Sequence, residues 1–340
     1  MYDDTIGLHN YGKGHPMNPI RISMTHSLVR SFNIDKQMDL YIPSRVKLTY
    51  HTKEYIKNLG TEETDDCPNF EGIVEYAERY SSASINGALL INSGLHDKVI
   101  NWSGGLHHAH KEEPSGFCFA NDIVMAIQEL LCKHERVMYI DIDVHHGDGV
   151  EEAFYDNDRV LTVSFHKHGD NFFPNTGDLI TSNKRAVNVP LQSGITDETY
   201  KYVFEPVIAN CIRKFNPGVI VFQAGTDSLA EDKLGVFSLS VEGHASCLKF
   251  VADQNVPILV LGGGGYTIQN VARCWAYETA VLCDFPINDQ IPQSDPFIEH
   301  YSPNFLIKPE LITKHRINFN GKRYLDSVMS FVQERIDKFI

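Results

Sequence analysis

The sequence predicts a single α/β domain spanning residues 1–340, in which a central, mostly parallel β-sheet is covered by helices on both faces. Three observations carry the prediction. Short apolar, β-prone runs alternate with helix-length amphipathic segments at least five times along the chain. Chemically capable residues stand directly after four of those runs, where open α/β sheets form their sites. No composition break, long linker or internal repeat divides the chain.

Residues 1–14 are rich in Gly and Tyr and show little periodicity. His15-Pro16-Met17-Asn18-Pro19 leads into a helical run over 21–32, and a second helical pattern covers 45–59. Glu62, Glu63, Asp65 and Asp66 form an acidic loop before Cys67-Pro68. Residues 72–92 read as a helix whose Ala83, Gly87 and Ala88 permit close helix approach. A strand over 98–104 ends in Gly104-Gly105-Leu106-His107-His108, and a loop and helix fill 116–135. Strands follow at 137–144, 159–165, 219–224 and 257–261, with helices at 198–215, 244–254, 271–283 and 324–339.

The formal charge of −14, from 44 acidic and 30 basic residues, argues against direct nucleic-acid binding, which needs a basic footprint. It suits a cationic partner or substrate, although acidity also serves solubility alone. Seven cysteines, an odd count with no Cys-x-x-Cys, argue against a disulfide framework or a thiolate zinc site and for a reducing compartment. The acidic start, Met1-Tyr2-Asp3-Asp4, does not read as a signal peptide, and no apolar run approaches the ~18 residues of a membrane span. A soluble, intracellular protein is expected.

The chemistry concentrates in Asp141-Ile142-Asp143-Val144-His145-His146-Gly147-Asp148-Gly149. A buried strand tolerates carboxylates only when they are compensated, and a metal ion compensates them. Residues i and i+2 share a strand face, so Asp143 and His145 can point at one cation. Oxygen plus imidazole suits zinc. Asp227, after Gly225-Thr226, supplies a third ligand, or else only shapes a turn. His107 and His108 titrate near neutrality and are candidates for proton transfer, with Asp141 and Asp148 as orienting carboxylates; the alternative is a pair of satisfied polar residues after two glycines. Tyr266 follows four glycines, where a phenol can donate to a carbonyl oxygen. A phosphate-binding reading of those glycines fails, because neither the P-loop nor the dinucleotide spacing is present. His146 receives no chemistry.

Together, Asn101-Trp102-Ser103-Gly104-Gly105-Leu106-His107-His108-Ala109, Ser115-Gly116-Phe117-Cys118, residues 139–154, Ser164-Phe165-His166-Lys167, Gly177-Asp178-Leu179, Asp227-Ser228 and residues 261–271 closely resemble a class I histone deacetylase of the Rpd3 type. The resemblance runs from about residue 2 into the 280s. It implies an arginase/deacetylase-like fold and a zinc-dependent hydrolase that removes acetyl groups from lysine in histones and other proteins. By the matching motifs, Asp143, His145 and Asp227 resemble the ligands of one Zn²⁺, and His107 and His108 the general base and its partner, backed by Asp141 and Asp148. Tyr266 resembles the carbonyl-polarising tyrosine. Gly116, Phe117, Phe173 and Leu234 resemble walls of an acyl-lysine tunnel, Asp66 a rim residue holding the substrate backbone, and Arg21 the arginine of an internal acetate channel. A potassium ion on Asp141, Asp143, His145, Ser164 and Phe165 is also implied. So are acetylated histone tails as substrate, corepressor proteins as partners, a role in transcriptional repression, and a nuclear location with a cytoplasmic share.

Three departures accompany the resemblance. The positions matching the family's inositol-phosphate contacts are Asn18, Lys233 and Gln269, so two of three charges are missing, which argues against that regulation. The family's first strand is mostly absent before Tyr2, and its long polar tail does not follow Ile340. The alternatives are a deacetylase of acetylpolyamines or other small acylamines, a two-metal hydrolase of the arginase type, and a scaffold with vestigial activity. The second needs more metal-facing ligands than the sequence offers, and the intact catalytic set weighs against the third.

Overall fold

The computed structural model describes residues 1–61, 63–64, 66–183, 185–313 and 317–340; Glu62 and Asp65 of the acidic loop lie outside the described residues. In chain order the main elements are α1 (Ile20–Ser31), α2 (Lys53–Asn58), α3 (Ile73–Asn92), β1 (Lys98–Asn101), α4 (Asp122–Leu130), β2 (Val137–Asp141), α5 (Asp148–Phe154), β3 (Val160–Lys167), β4 (Ala186–Leu191), α6 (Asp197–Phe215), β5 (Val219–Gln223), α7 (Val241–Ala252), β6 (Ile258–Leu261), α8 (Ile268–Leu282) and α9 (Lys322–Phe339).

Six strands form one sheet in the order β1-β6-β5-β2-β3-β4, and every pairing is parallel. Strands β2, β3, β5 and β6 are buried along their whole length because both of their faces are covered, and β2, β5 and β6 are apolar up to their last residues. Val137, Tyr139, Val219, Val221, Leu259 and Leu261 pack with α3, α4 and α5 on one side. Met138, Ile140, Ile220, Phe222, Ile258 and Val260 pack with α6, α7, α8 and α9 on the other. A third cluster joins α1 to α8 through Met24, Leu28, Ala272 and Ala276.

The strand order places the site. From β2 the chain steps outward to β3 and β4, then returns to lay β5 on the other side of β2 and continues to β6. The connections therefore leave β2 and β5 in opposite directions, which opens a crevice between their carboxyl ends. Asp141 pairs with Gln223 at that boundary. Asp143 and Asp227 follow just beyond it.

Several expectations need correction. The expected parallel sheet is present, and among the described residues all of its strand pairings are parallel; the corrections concern single elements. Residues 45–52 are not helical; helix α2 covers only Lys53–Asn58. The preceding backbone is instead pinned along α3, with Val46 N donating to Ser82 Oγ (2.8 Å) and Asn86 Nδ2 donating to Ser44 O (2.8 Å). β4 was not expected, because Asn188 and Pro190 read against a strand; as the sheet edge, it accommodates a proline that cannot donate. Helix α5, which has only seven residues and begins Asp148-Gly149, was not expected either. Strands β1 and β2 end at Asn101 and Asp141, three residues earlier than expected, where the chain turns into the site. Gly87 serves close approach to the sheet rather than to another helix, since a Cβ there would meet Leu259 Cδ1 at 2.8 Å and Val99 Cγ1 at 3.2 Å.

Candidate metal centre and active site

Beyond β2 the chain bends through Asp143, Val144 and His145. Its amides bond back onto the side chains two residues earlier: Asp143 N donates to Asp141 Oδ1 (3.1 Å) and His145 N to Asp143 Oδ1 (3.0 Å). The Asp227 turn, Thr226–Ser228, faces it from β5, and Val144 N donates to Asp227 Oδ1 (2.8 Å). As a result His145 Nδ1 stands 3.0 Å from both Asp143 Oδ1 and Asp227 Oδ2. All three side chains are buried, and each offers a ligand atom within 4.8 Å of the others.

Two fully buried carboxylates against one imidazole make a set that a cation completes. The titration directions express the same need. Burial raises the Asp227 carboxyl, and neighbouring Asp143 adds to it. Burial also acts to raise Asp143, but His107 and His145 outweigh it and hold that carboxyl well below its usual range. Burial opposes charge on His145, yet Asp227 and Asp143 push it up to about 10. The cradle is tight as well. Gly264 N donates to Asp143 Oδ2 (2.8 Å), and a Cβ on Gly264 would meet Asp227 Oδ2 at 2.2 Å and Asp143 Oδ2 at 2.7 Å.

His107 and His108 reach the same crevice from the loop after β1. Gly105 has φ +96, and a Cβ there would meet the backbone of Gly262 and Gly263 at 2.6 Å, so this turn requires glycine. The Asp122 carboxylate accepts from the amides of Gly105 and Leu106 and from Ser84 Oγ (2.6 Å). Asn121 Nδ2 donates to the carbonyls of His107 (3.3 Å) and Ala109 (2.9 Å). The imidazoles lie 3.9 Å apart between ring centres. His107 Nδ1 meets Asp141 Oδ2 at 2.7 Å, and His108 Nδ1 meets Asp148 Oδ1 at 2.7 Å.

Their environments set them apart. Burial opposes charge on His107, but Asp141 and Asp143 overcome it and push the ring up to about 9. Burial and the charge of His107 depress His108 to about 4, against the pull of Asp148. His107 is therefore a held cation and His108 a neutral base near pH 7.

Tyr266 is buried near Asp227 and Asp143, with its backbone amide donating to Asp232 Oδ2 (2.7 Å). Burial, then Asp227 and Asp143, raise its phenol well above the usual range, so it stays a donor. Arg21 is buried behind the glycine run and donates to the carbonyls of Gly265 and Gly263, each at 2.7 Å. Its Nε has no partner and its guanidinium lies over the Trp275 ring. At the mouth, Phe173 meets His108 edge-on at 4.9 Å, and Phe117 meets Tyr266 edge-on at 5.6 Å. Phe173 and Leu234 are 41% and 38% exposed, so these apolar side chains face solvent at the rim. Asp66 Oδ2 accepts from Gly116 N (2.7 Å), which ties the acidic loop to the Gly116-Phe117 wall. Ser164 lies beside Asp141 in the β2–β3 register, with Phe165 next in β3, and Ser164 Oγ bonds His166 Nδ1 at 2.8 Å.

The fold thus brings Asp143, His145, Asp227, His107, His108, Asp141, Asp148 and Tyr266 to one crevice, with Gly116, Phe117, Phe173 and Leu234 around it. Asn18 and Lys233 are exposed and Gln269 half-buried. His146 turns away to bond Thr176 Oγ1 and Glu151 Oε2. Three contributors escaped sequence reasoning. Gln223 Nε2 donates to Asp143 Oδ2 (3.0 Å), Tyr139 Oη donates to Asp141 Oδ2 (2.6 Å), and Asp122 braces the histidine loop. A glutamine closing the apolar run Val219-Ile220-Val221-Phe222 was the one visible signal.

Residues 15–282 match the histone deacetylase domain family. Histone deacetylase B of Dictyostelium discoideum is 47% identical over 363 aligned positions, covering 99% of this chain and 86% of that protein. Histone deacetylase 1 of Homo sapiens is 46% identical over 360, covering 98% of this chain and 74% of that protein. With a catalytic-type crevice at the switch point of a parallel sheet and this similarity along nearly its whole length, the chain belongs to the histone deacetylase family, class I, Rpd3 type.

Proposed function

We propose that the chain, as one catalytic domain, is a zinc-dependent protein lysine deacetylase acting on acetylated histone tails. The observation that carries this reading is the meeting of the Asp143–His145–Asp227 ligand set with a histidine pair split into cation and neutral base. Asp143, His145 and Asp227 would hold one Zn²⁺. When bound, the ion supplies a Lewis acid for the acyl carbonyl and acidifies a water molecule. Neutral His108 Nε2 takes the proton of the attacking water and later returns one to the departing lysine nitrogen. His107, held protonated by Asp141, stabilises the negative charge that develops during attack. Tyr266 Oη donates to the acyl oxygen. Phe117, Phe173, Gly116 and Leu234 flank the aliphatic lysine stem and exclude water, and acetylation has already removed the charge that such walls would repel. Asp66 fixes the wall through Gly116, and its carboxylate stands at the rim for a substrate backbone amide. Arg21 guides acetate outward.

The pairing of Asp141 with Ser164 supports a K⁺ ion on Asp141, Asp143, His145, Ser164 and Phe165 that stiffens the strand ends. Corepressor proteins are the expected partners, with the work done mainly in the nucleus and partly in the cytoplasm. Inositol phosphate is not among the proposed ligands, given Asn18 and Gln269. An acetylated histone-tail peptide should be hydrolysed to lysine and acetate, with activity abolished by a chelator and restored by Zn²⁺. Faster turnover of acetylspermidine than of the peptide would overturn the substrate assignment.

A further inference from the structure

A second buried cluster stands behind the ligand set, between α7 and α8. His244, Cys274 and Glu278 are all fully buried, the last two one helical turn apart. His244 Nδ1 meets Glu278 Oε1 at 2.7 Å and Cys274 Sγ at 3.4 Å, while Nε2 meets Gly225 O at 3.0 Å. A carbonyl only accepts, so Nε2 carries a proton. The residue types resemble a cysteine nucleophile with its base and orienting acid, but the arrangement excludes that chemistry. Thiol and carboxylate share the same ring nitrogen, and burial pushes the thiol up to about 11. Glu278 Oε2 is buried with no partner, a cost that a purely structural pair would avoid by having an apolar isostere.

The contact at Gly225 is where that cost has a return. Gly225 begins the turn that presents Asp227, and a Cβ on it would meet Asp143 Oδ2 at 2.1 Å, so its backbone lies against the other carboxylate ligand. Successive peptide groups of this turn are each pinned. Trp275 Nε1 donates to Ala224 O (2.8 Å), His244 Nε2 and Ser228 Oγ donate to Gly225 O, and Thr226 N donates to Gly264 O (2.9 Å). In the His244 contact a carboxylate, Glu278, is hydrogen-bonded to the other nitrogen of the donor ring.

We propose that Glu278 and His244 are a positioning pair for the metal centre: Glu278 fixes the imidazole, Nε2–H holds the Gly225 carbonyl, and the Gly225 backbone sets the spacing of Asp143 and Asp227. The inference rests on reading Asp143, His145 and Asp227 as the zinc ligands. Outer partners that orient ligands commonly change metal affinity by about 10- to 100-fold.

The test measures the zinc dissociation constant by chelator competition for wild type and for His244→Leu, His244→Gln, Glu278→Met and Asp227→Ala. Amide exchange across 224–228 is followed in the metal-free proteins. His244→Leu should weaken zinc binding by about tenfold or more, speed exchange in that segment, and lower kcat with KM unchanged. His244→Gln, whose amide can still donate to Gly225 O, should stay within roughly threefold of wild type. Glu278→Met should act in the same direction as His244→Leu, and it serves if the latter does not fold. Wild-type zinc affinity and exchange in His244→Leu or Glu278→Met, or equal damage in the Gln and Leu variants, would overturn the pair's role. Asp227→Ala separates the premises: if it keeps zinc, the ligand assignment itself has failed, whereas its loss of zinc beside an unaffected His244→Leu removes only the positioning pair.

Discussion

His107 and His108 are neighbours in the chain, yet their partners give them opposite charge states. Asp141 and Asp143 hold a proton on His107, while burial and that same charge keep His108 free. On the proposed mechanism, His108→Ala removes the base, and Tyr266→Phe removes the donor to the acyl oxygen. Each should lower kcat by roughly 10²- to 10⁴-fold while zinc content stays near one per chain, checked by steady-state kinetics and elemental analysis. A different histidine contributes to acid sensitivity. His51 Nδ1 donates to Lys111 O (3.1 Å) and Nε2 accepts from Asn121 N (2.9 Å), so the fold uses the neutral ring. Burial lowers it to about 4 from its ordinary 6.5. The stabilisation is complete above about pH 6.5 and is lost as pH falls toward 4, because protonating Nε2 breaks the bond to Asn121; at the acid end the loss is about 3 kcal/mol. Thermal midpoints measured from pH 7 to 4 should fall more steeply for wild type than for His51→Gln, and parallel curves would refute this. At this scale the sequence showed the residues that own a strand-end or loop signal: Asp143, His145, His107, His108 and Tyr266. The roles of Gln223 and Asp122 were not legible because their partners, Asp143 and Gly105, are distant in sequence and meet them only once strands and helices pack.

The glycine run after β6 is the element on which the site depends most. Gly263 and Gly265 carry φ of +132 and +133, and Gly264 closes over both carboxylate ligands. Gly264→Ala places a methyl where Asp227 Oδ2 and Asp143 Oδ2 now sit. Zinc binding should fall by tenfold or more, on the order of an outer-partner loss, while far-ultraviolet circular dichroism is unchanged. Undiminished zinc affinity would show that the loop can yield. Strands β2, β5 and β6 were legible because burial on both faces leaves nearly uninterrupted apolar runs, and β3 because Val160, Leu161, Val163 and Phe165 dominate its first six residues. Strand β4 was not, since edge position rather than composition makes Pro190 acceptable. The segment 45–52 misled for a related reason: Val46, Leu48 and Tyr50 join the main core without a helix, and Val46 N finds its partner in Ser82 Oγ rather than in a helical carbonyl.

Across the whole molecule, the reversal of strand order between β2 and β5, which run parallel, is what turns two separate carboxylate signals into one centre. No alternation of strands and helices in a sequence states that order, so the parallel sheet was legible and the crevice was inferred only from residues that follow strands. No helix among the described residues is long and apolar enough to cross a membrane. The net charge of −14 should draw in basic acetylated tails. Accordingly, kcat/KM for a Lys/Arg-rich acetylated peptide should fall several-fold between roughly 50 and 200 mM salt, and that of a neutral acetyl-lysine peptide should not. On the proposed reading, metal binding and folding would be coupled too. Saturating zinc at about a thousandfold its dissociation constant adds about 4 kcal/mol, which should raise the thermal midpoint of chelated protein by several degrees. The most direct test of the account is hydrolysis of an acetylated histone-tail peptide by wild type, chelated and zinc-restored protein, and Asp227→Ala, with zinc counted in each. The account predicts stoichiometric release of lysine and acetate only where one zinc per chain is bound. Undiminished hydrolysis by the zinc-free protein, or none by the zinc-loaded wild type, would contradict it.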